Sequence, residues 1–222
     1  MNIKRLVLGA MATNCWVIPL DNHTDKIEKT EAPPYPCIII DPADEGKLII
    51  EQLQVWNCYP AYILLSHGHF DHLMGLPDLA KGPWAQQPII AIHEQDSRYL
   101  GHDSLPAHRE SFKAIGINSF EGQRWQPLPA PTLLLRDGDA IGPLQAIHVP
   151  GHTPGSLAFY HEGQRALFSG DTLFRAGIGR TDLPGGDPEL LEASLQKLLQ
   201  MDGGIAVHPG HGPSTTIQAE RY

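Results

Sequence analysis

The 222-residue sequence has few cysteines, few basic residues and no long apolar run, and each scarcity excludes a class of protein. The three cysteines are odd in number and widely spaced, which argues against a disulfide framework or a cysteine-rich zinc module. The sequence has 16 Lys and Arg against 25 Asp and Glu, which gives a formal net charge of −9. This charge disfavours a protein that binds nucleic acid or a membrane through a broad basic surface. The composition therefore predicts a protein of a reducing compartment, which we expect to be the cytoplasm, with neither nucleic acid nor a membrane as its partner.

The longest apolar run near the N-terminus has two interpretations. Residues 6–12 follow Lys4 and Arg5 and resemble a short secretion signal, but the run is much shorter than the roughly 20 residues that span a bilayer. The segment before Cys15 is also a poor cleavage or lipid-attachment site. We therefore expect an unprocessed chain in which two strands, 3–8 and 15–18, are joined by a turn at Gly9.

Short aliphatic runs alternate with segments of helical spacing along the rest of the chain. The runs predict strands at 3–8, 15–18, 37–40, 62–65, 89–92, 132–135, 146–149, 157–160, 166–168 and 205–207. Helical spacing occurs at 47–56, 106–115 and 188–201, the last with Asp187 as N-cap and Gly203 after its end. A polar loop at 21–36 and a proline-rich segment at 81–131 interrupt this pattern. The sequence predicts one mixed α/β domain over 1–222.

Histidine is abundant, with 12 residues, and three of them are adjacent to one predicted strand. The motif that follows strand 62–65 is Ser66-His67-Gly68-His69-Phe70-Asp71-His72. Imidazole and carboxylate are preferred ligands of zinc and similar ions, and Gly68 allows a sharp turn between two ligating rings. A His-rich polar loop without metal is the alternative, but it would leave several polar groups in need of partners. The motif therefore predicts a metal site.

Three later turns offer the same ligand types, each directly after a predicted strand. They are Gly151-His152-Thr153-Pro154-Gly155, Ser169-Gly170-Asp171-Thr172 and Pro209-Gly210-His211-Gly212. Each is ambiguous by itself, since an aspartate often only stabilises a turn. Together with the first motif, their order and spacing resemble the metallo-β-lactamase superfamily, and within it the glyoxalase II-like hydrolases, over about residues 14–216.

The resemblance implies both a fold and a metal centre. The implied fold is a four-layer αββα sandwich, an α/β (α+β) architecture of two facing mixed β-sheets flanked by helices. The first of two divalent ions would be held by His67, His69 and His152. The second would be held by Asp71, His72 and His211, with Asp171 bridging the two. Zinc is the expected metal, and iron and manganese are alternatives because His and Asp sites accept all three.

The resemblance also implies hydrolysis by a hydroxide that bridges the two metals, with a small thioester such as S-lactoylglutathione as the substrate. Asp71 and Asp171 would be the catalytic carboxylates. Arg175 and Arg180 are candidates for binding a substrate carboxylate, although Arg180 could instead pair with Asp182 to fix its loop. The chain lacks the helical C-terminal segment of full-length glyoxalase II, so the match is closer to short single-domain relatives, and glutathione specificity is open.

Other functions fit the sequence less well. A persulfide dioxygenase-like enzyme with one iron is disfavoured by His211, and a non-catalytic metal-binding domain by the presence of all seven ligand positions. The lack of a secretion signal disfavours a lactam hydrolase, and the short acidic chain disfavours a nucleic-acid processing enzyme. The remaining histidines are expected to be structural, including His208, since Pro209 and Gly210 break any helix that would align it with His211. The oligomeric state is open.

Overall fold

The first of two mixed β-sheets is built from the N-terminal part of the chain. The computed structural model describes residues 3–20, 34–117 and 127–221. The strands of this sheet, in hydrogen-bonded order, are β1 (Lys4–Leu8), β2 (Thr13–Pro19), β3 (Tyr35–Ile40), β4 (Cys58–Leu64), β5 (Ile89–His93) and β6 (Leu133–Leu135). The pairs from β1 to β3 are antiparallel, and those from β3 to β6 are parallel.

The second sheet is built from the C-terminal part. Its strands are β7 (Ala140–Ile141), β8 (Leu144–His148), β9 (Leu157–His161), β10 (Ala166–Gly170), β13 (Ala206–Pro209) and β14 (Thr215–Thr216), in the order β14-β13-β10-β9-β8-β7. Its one parallel pair is β10 with β13. A separate hairpin joins β11 (Leu173–Phe174) to β12 (Gly177–Ile178). The helices are α1 (Gly46–Val55), α2 (Leu76–Leu79), α3 (Leu105–Ala114), α4 (Pro188–Leu199) and α5 (Ile217–Glu220).

Alternation of side chains along the strands creates three apolar clusters and hence four layers. In β3, Ile38 and Ile40 pack between the sheets, whereas Ile39 packs on the opposite face with residues of α1 and α2. In β10, Phe168 lies between the sheets, and Leu167 packs against α4 and α5. Successive strand residues point to opposite faces, so each buried strand serves two clusters. This confirms the predicted αββα sandwich of two facing sheets flanked by helices.

All ten predicted strands and all three predicted helices are present, with ends that differ by a few residues. The N-terminal run forms β1 and β2, joined by a turn in which Gly9 has a φ of 70°. Asp187 caps α4, because its side chain accepts hydrogen bonds from the N–H groups of Glu189 and Leu190. The two-residue strands β7, β11, β12 and β14 were not predicted, because two residues are too few to show alternation.

One predicted loop differs in part from the structure, and the domain assignment is untested. Residues 35 and 36, which the sequence assigned to the loop 21–36, begin strand β3, and residues 21–33 lie outside the described part. The single domain over 1–222 stays a prediction. Within the described ranges, no helix combines the length and the apolarity needed to cross a membrane.

Candidate metal centre

The predicted ligand loops follow strands whose ends meet at one edge of the two sheets. The loop of His67 follows β4, which is parallel to β3 and β5, and Asp171 and His211 follow the parallel strands β10 and β13. A hydrogen bond of 2.7 Å from the Leu157 N–H to the Ser66 carbonyl joins the two sheets close to these loops. The topology therefore brings ligands that are far apart in sequence to one place.

The first group of ligands consists of His67, His69 and His152. One ligand atom from each lies within 4.8 Å of the others, and all three side chains are buried. His69 Nδ1 is 2.8 Å from His152 Nε2. Three imidazole nitrogens at such short separations form a set of donors that could hold one cation.

The second group consists of Asp71, His72 and His211, whose ligand atoms also lie within 4.8 Å of one another. Asp71 Oδ2 is 3.2 Å from His211 Nε2 and 3.5 Å from His72 Nε2. His72 is fully buried, while the side chains of His211 and Asp71 are 27% and 22% exposed. The second group thus has an open side toward solvent, from which a small molecule can approach.

Asp171 lies between the two groups. Its Oδ2 is 3.7 Å from His152 Nε2 and 3.4 Å from His211 Nε2, and its Oδ1 is 3.5 Å from His72 Nε2. The structure therefore brings all seven predicted ligands together in one cluster. Their assignment to individual ions, and the catalytic roles of Asp71 and Asp171, stay predictions.

Buried polar atoms without hydrogen-bond partners indicate that the cluster could hold a pair of divalent cations. His67 Nε2, His72 Nε2 and Asp171 Oδ1 are buried and have no hydrogen-bond partner among the described residues. Buried polar atoms without partners are costly, and such atoms in one small region call for a bound ion or water. Nitrogen and carboxylate donors in this combination suit zinc, iron or manganese.

Burial and charge give the two groups different protonation in the absence of metal. Burial lowers the pKa of His67 well below its ordinary value and that of His69 to about 3, so these two rings are neutral and able to bind a cation. In the second group burial acts in the same direction, but Asp71 and Asp171 outweigh it. They raise the pKa of His72 well above its ordinary value and that of His211 to about 9.

The two carboxylates show the reverse effect. Burial alone would raise the pKa of Asp71 and of Asp171, but the positive charge of His72 and the hydrogen bonds from His211 hold both below the ordinary range. Protons on His72 and His211 thus balance these carboxylates when no metal is bound. Because the ligand nitrogens must be deprotonated to coordinate, cation binding would release protons from the second group.

Asp41 contacts one predicted ligand directly and another through Ser66, and the sequence analysis missed it. Its Oδ2 is 2.9 Å from His72 Nδ1 and accepts a 2.6 Å hydrogen bond from the Ser66 hydroxyl, which lies 3.0 Å from His67 Nδ1. A partner on the second ring nitrogen fixes the orientation and tautomer of a ligating histidine. Asp41 directly follows β3, so its place after a strand was the one signal that could have identified it.

The two candidate substrate-binding arginines differ in their contacts. Arg180 forms a bidentate ion pair with Asp182, at 2.6 and 2.7 Å, in agreement with the alternative that the pair fixes the loop. The Arg180 carbonyl also accepts a 2.8 Å hydrogen bond from His152 Nδ1. Arg175 is exposed and follows Phe174, whose ring centroid is 6.3 Å from that of His211. Substrate binding by either arginine stays a prediction.

Three histidines that were expected to be structural, His93, His148 and His208, lie outside the cluster, while His23 is not among the described residues. His208 packs against Trp16 and Phe168, and its Nδ1 is 2.8 Å from the Ser214 hydroxyl. His93 stacks on His148 with ring centroids 4.1 Å apart, and His148 Nε2 is 2.8 Å from the Pro154 carbonyl oxygen. These rings have partners that account for their positions without a metal.

Comparisons with known proteins agree with this geometry. A family model described as the metallo-β-lactamase superfamily matches residues 36–211. The hydroxyacylglutathione hydrolase GloC of Haemophilus influenzae is 35% identical over 222 residues, which cover 100% of this chain and 95% of that protein. The solved structure of TTHA1623 in a di-iron-bound form is 33% identical, with a TM-score of 0.76, over 98% of this chain and 96% of that one. The structure of the BLEG-1 B3 metallo-β-lactamase is 32% identical, with a TM-score of 0.78, over 99% and 96%.

Proposed function

Because the chain belongs to the metallo-β-lactamase superfamily of metal-dependent hydrolases, we propose that it hydrolyses a small thioester of the S-lactoylglutathione type. The observation that carries the proposal is the convergence of all seven His and Asp side chains in a chain that is 35% identical, along its whole length, to a hydroxyacylglutathione hydrolase. We also propose a cytoplasmic location, which the three free, buried cysteines support.

The two groups would hold two divalent cations, with zinc expected and iron or manganese as alternatives. When bound, such a pair polarises a carbonyl group and lowers the pKa of water toward neutrality. The first group would hold one cation through His67, His69 and His152, and the second group would hold the other, with Asp171 shared. No serine or cysteine nucleophile is needed for this chemistry.

The carboxylates and the rim of the site would orient the reactants. The Asp71 side chain is 22% exposed and ionised, and Thr13 and His211 contact its Oδ2, so its Oδ1 can accept a hydrogen bond from the attacking water. Addition of that water forms a C–O bond at the thioester carbonyl carbon, and collapse of the adduct breaks the C–S bond. One proton of the water goes to the departing sulfur, which leaves as a thiol, and the other stays with the carboxylic acid. Phe174 supplies an apolar wall beside His211, and exposed Arg175 can pair with a carboxylate on the substrate.

The test combines metal quantitation with an assay of thioesters that vary in their acyl and thiol parts. We expect about two divalent ions per chain and turnover of at least one hydroxyacyl thioester. The His69→Ala variant should lose metal and at least tenfold in activity, since it removes one ligand of the first group. A variant that loses metal but keeps more than a tenth of the activity would refute the mechanism.

A second candidate function is hydrolysis of a β-lactam, because the BLEG-1 B3 metallo-β-lactamase is 32% identical to this chain, close to the 35% of the hydroxyacylglutathione hydrolase. A β-lactam substrate in the same assay decides between them, since both reactions use the same centre on different carbonyl compounds. One iron per chain, together with oxygen uptake on glutathione persulfide, would instead identify a persulfide dioxygenase. Bound metal without turnover of any of these substrates would identify a non-catalytic domain.

A further inference from the structure

We propose that two separate sets of buried hydrogen bonds position the two halves of the centre, the first group and the second group. The metal affinity of each half can then be lowered without lowering that of the other. Asp96 positions the first group, and Thr13 with Asn14 positions the second group. The inference rests on the proposed function only in that both groups bind divalent cations. None of these three residues was identified from the sequence, and none is itself a candidate ligand.

Asp96 joins the two loops that carry the first group. Its Oδ2 accepts hydrogen bonds from the Gly68 N–H at 2.9 Å and from the Thr153 hydroxyl at 2.7 Å, and its Oδ1 accepts one from the Gly155 N–H at 2.9 Å. Gly68 separates His67 from His69, and Thr153 follows His152. Asp96 is fully buried, so a single carboxylate fixes the spacing of the three rings without competition from water.

The close approach of these loops to Asp96 depends on a glycine. A Cβ atom at Gly155 would lie 2.6 Å from Asp96 Cγ and 2.7 Å from its Oδ1, which is too close for any side chain. The backbone N–H of residue 155 can therefore reach the carboxylate only because no side chain is present. This places the loop after His152 directly on Asp96.

Thr13 and Asn14, at the start of β2, form hydrogen bonds with the second group and its loop. The Thr13 hydroxyl donates a 2.8 Å hydrogen bond to Asp71 Oδ2. The Asn14 Nδ2 group donates to the carbonyls of Pro209 and Gly212, at 2.8 and 2.9 Å, on either side of His211. The Asn14 backbone N–H donates to the carbonyl of Gly210 at 2.7 Å, so three bonds from one residue fix the loop of His211.

The two sets of hydrogen bonds involve different ligands and ligand loops. The side-chain hydrogen bonds of Asp96 end on the loops of His67, His69 and His152, whereas those of Thr13 and Asn14 end on Asp71 and on the loop of His211. Removal of a group that orients a metal ligand typically lowers metal affinity 10- to 100-fold. That loss should fall on one half of the centre in each case.

The experiment uses two isosteric variants of the full-length, metal-free protein, Thr13→Val and Thr153→Val, titrated with Co²⁺ alone. Each removes one hydroxyl that donates to a carboxylate, Asp71 in the second group or Asp96 behind the first group. We expect the wild-type protein to bind two equivalents. Each variant should bind one equivalent with wild-type affinity and the other 10- to 100-fold more weakly.

Paramagnetic proton NMR at one equivalent of Co²⁺ identifies which half is occupied. The first group contributes three imidazole rings and the second group two, so the number of shifted, exchangeable ring N–H signals differs between them. Thr13→Val should show three such signals and Thr153→Val two. Thr13→Ser, which restores the hydroxyl, should recover wild-type binding of the second ion.

Asp41→Asn is the matched control, because Asp41 contacts His72 of the second group and, through Ser66, His67 of the first group. It should weaken the binding of both equivalents of Co²⁺.

Circular dichroism of the metal-free variants tests folding, and Asp96→Asn replaces Thr153→Val if the latter does not fold. Equal weakening of both equivalents by Thr13→Val, or two signals in that variant, overturns the proposal, as does a wild-type protein that binds fewer than two ions. Absence of thioester turnover leaves the proposal intact, since no substrate enters the measurement.

Discussion

Gly210→Ala should disable the metal centre by steric overlap alone. A Cβ atom at this position would lie 2.2 Å from Asp171 Oδ1 and 2.7 Å from His72 Cε1, with the carbonyl carbon of Gly170 at 3.3 Å behind it. To reach ordinary van der Waals contact, Asp171 Oδ1 must retreat by roughly 1 Å. Both displaced side chains are predicted ligands, one of the second group and one shared.

The magnitude follows from that displacement. A misplacement of about 1 Å in a catalytic group costs on the order of 100-fold in rate, and overpacking of a buried site costs about 1–3 kcal/mol of stability. We therefore expect Gly210→Ala to remain folded but to bind fewer than two metal ions. Its kcat/KM for the thioester should fall by about 100-fold.

The assay measures metal content after dialysis, kcat/KM and urea unfolding, with Gly177→Ala as the matched control. Gly177 lies in the hairpin near the site, but a Cβ there would meet only Phe174, at 3.8 Å, which is ordinary contact. That variant should keep two metals and change kcat/KM by less than about twofold. If Gly210→Ala also keeps two metals and wild-type kcat/KM, the predicted ligand roles of Asp171 and His72 are wrong.

Three further predictions concern the ligands, the substrate and pH. Calorimetric titration of the His69→Ala variant with Zn²⁺ should show one strong binding step instead of two, because the first group keeps only two rings. Arg175→Ala should raise KM for a carboxylate-bearing thioester roughly tenfold, about 1.4 kcal/mol, whereas Arg180→Ala should change KM less than threefold, since that guanidinium is already paired with Asp182. In the metal-free protein the pKa of His211 is about 9 against an ordinary 6.5, so its ion pairs stabilise the fold fully below about pH 6.5, and this stability is lost as the pH rises through 9. Urea unfolding from pH 6 to 10 should show this loss in the wild-type protein and a smaller loss in His211→Asn, in which the raised pKa of His72 still contributes.

The strands and the clustering of the predicted ligands were predictable because both are encoded locally. Each predicted ligand follows an aliphatic run of strand length, and three of the histidines occupy one short motif. Parallel strands that end at the same edge then bring such loops together, so the position of a ligand after a strand carries information about its position in space. Asp41 also follows a strand, but the sequence does not single it out, because an aspartate before Pro42 is also typical of an ordinary turn.

The residues that support the ligands were not predictable, because their partners are distant in sequence. Asp96 bonds to residues 28, 57 and 59 positions away, and Thr13 bonds to Asp71, 58 positions away. Nothing in the local sequence distinguishes Asp96, which is buried in the 3₁₀ helix Glu94–Tyr99, from an exposed aspartate. Their roles depend on which loops the two sheets bring next to them, and this is a property of the tertiary structure.

Arg180 illustrates a role that belongs to the main chain and not to the side chain. The sequence offers a cation near the site, but the guanidinium is paired with Asp182 two residues later, and the contact with the centre is made by the carbonyl oxygen that accepts from His152 Nδ1. That hydrogen bond fixes the tautomer in which Nε2 of His152 is free to face His69. An alanine at position 180 keeps the carbonyl and hence the orientation of His152. Of the two candidate arginines, exposed Arg175 thus stays the predicted partner of a substrate carboxylate.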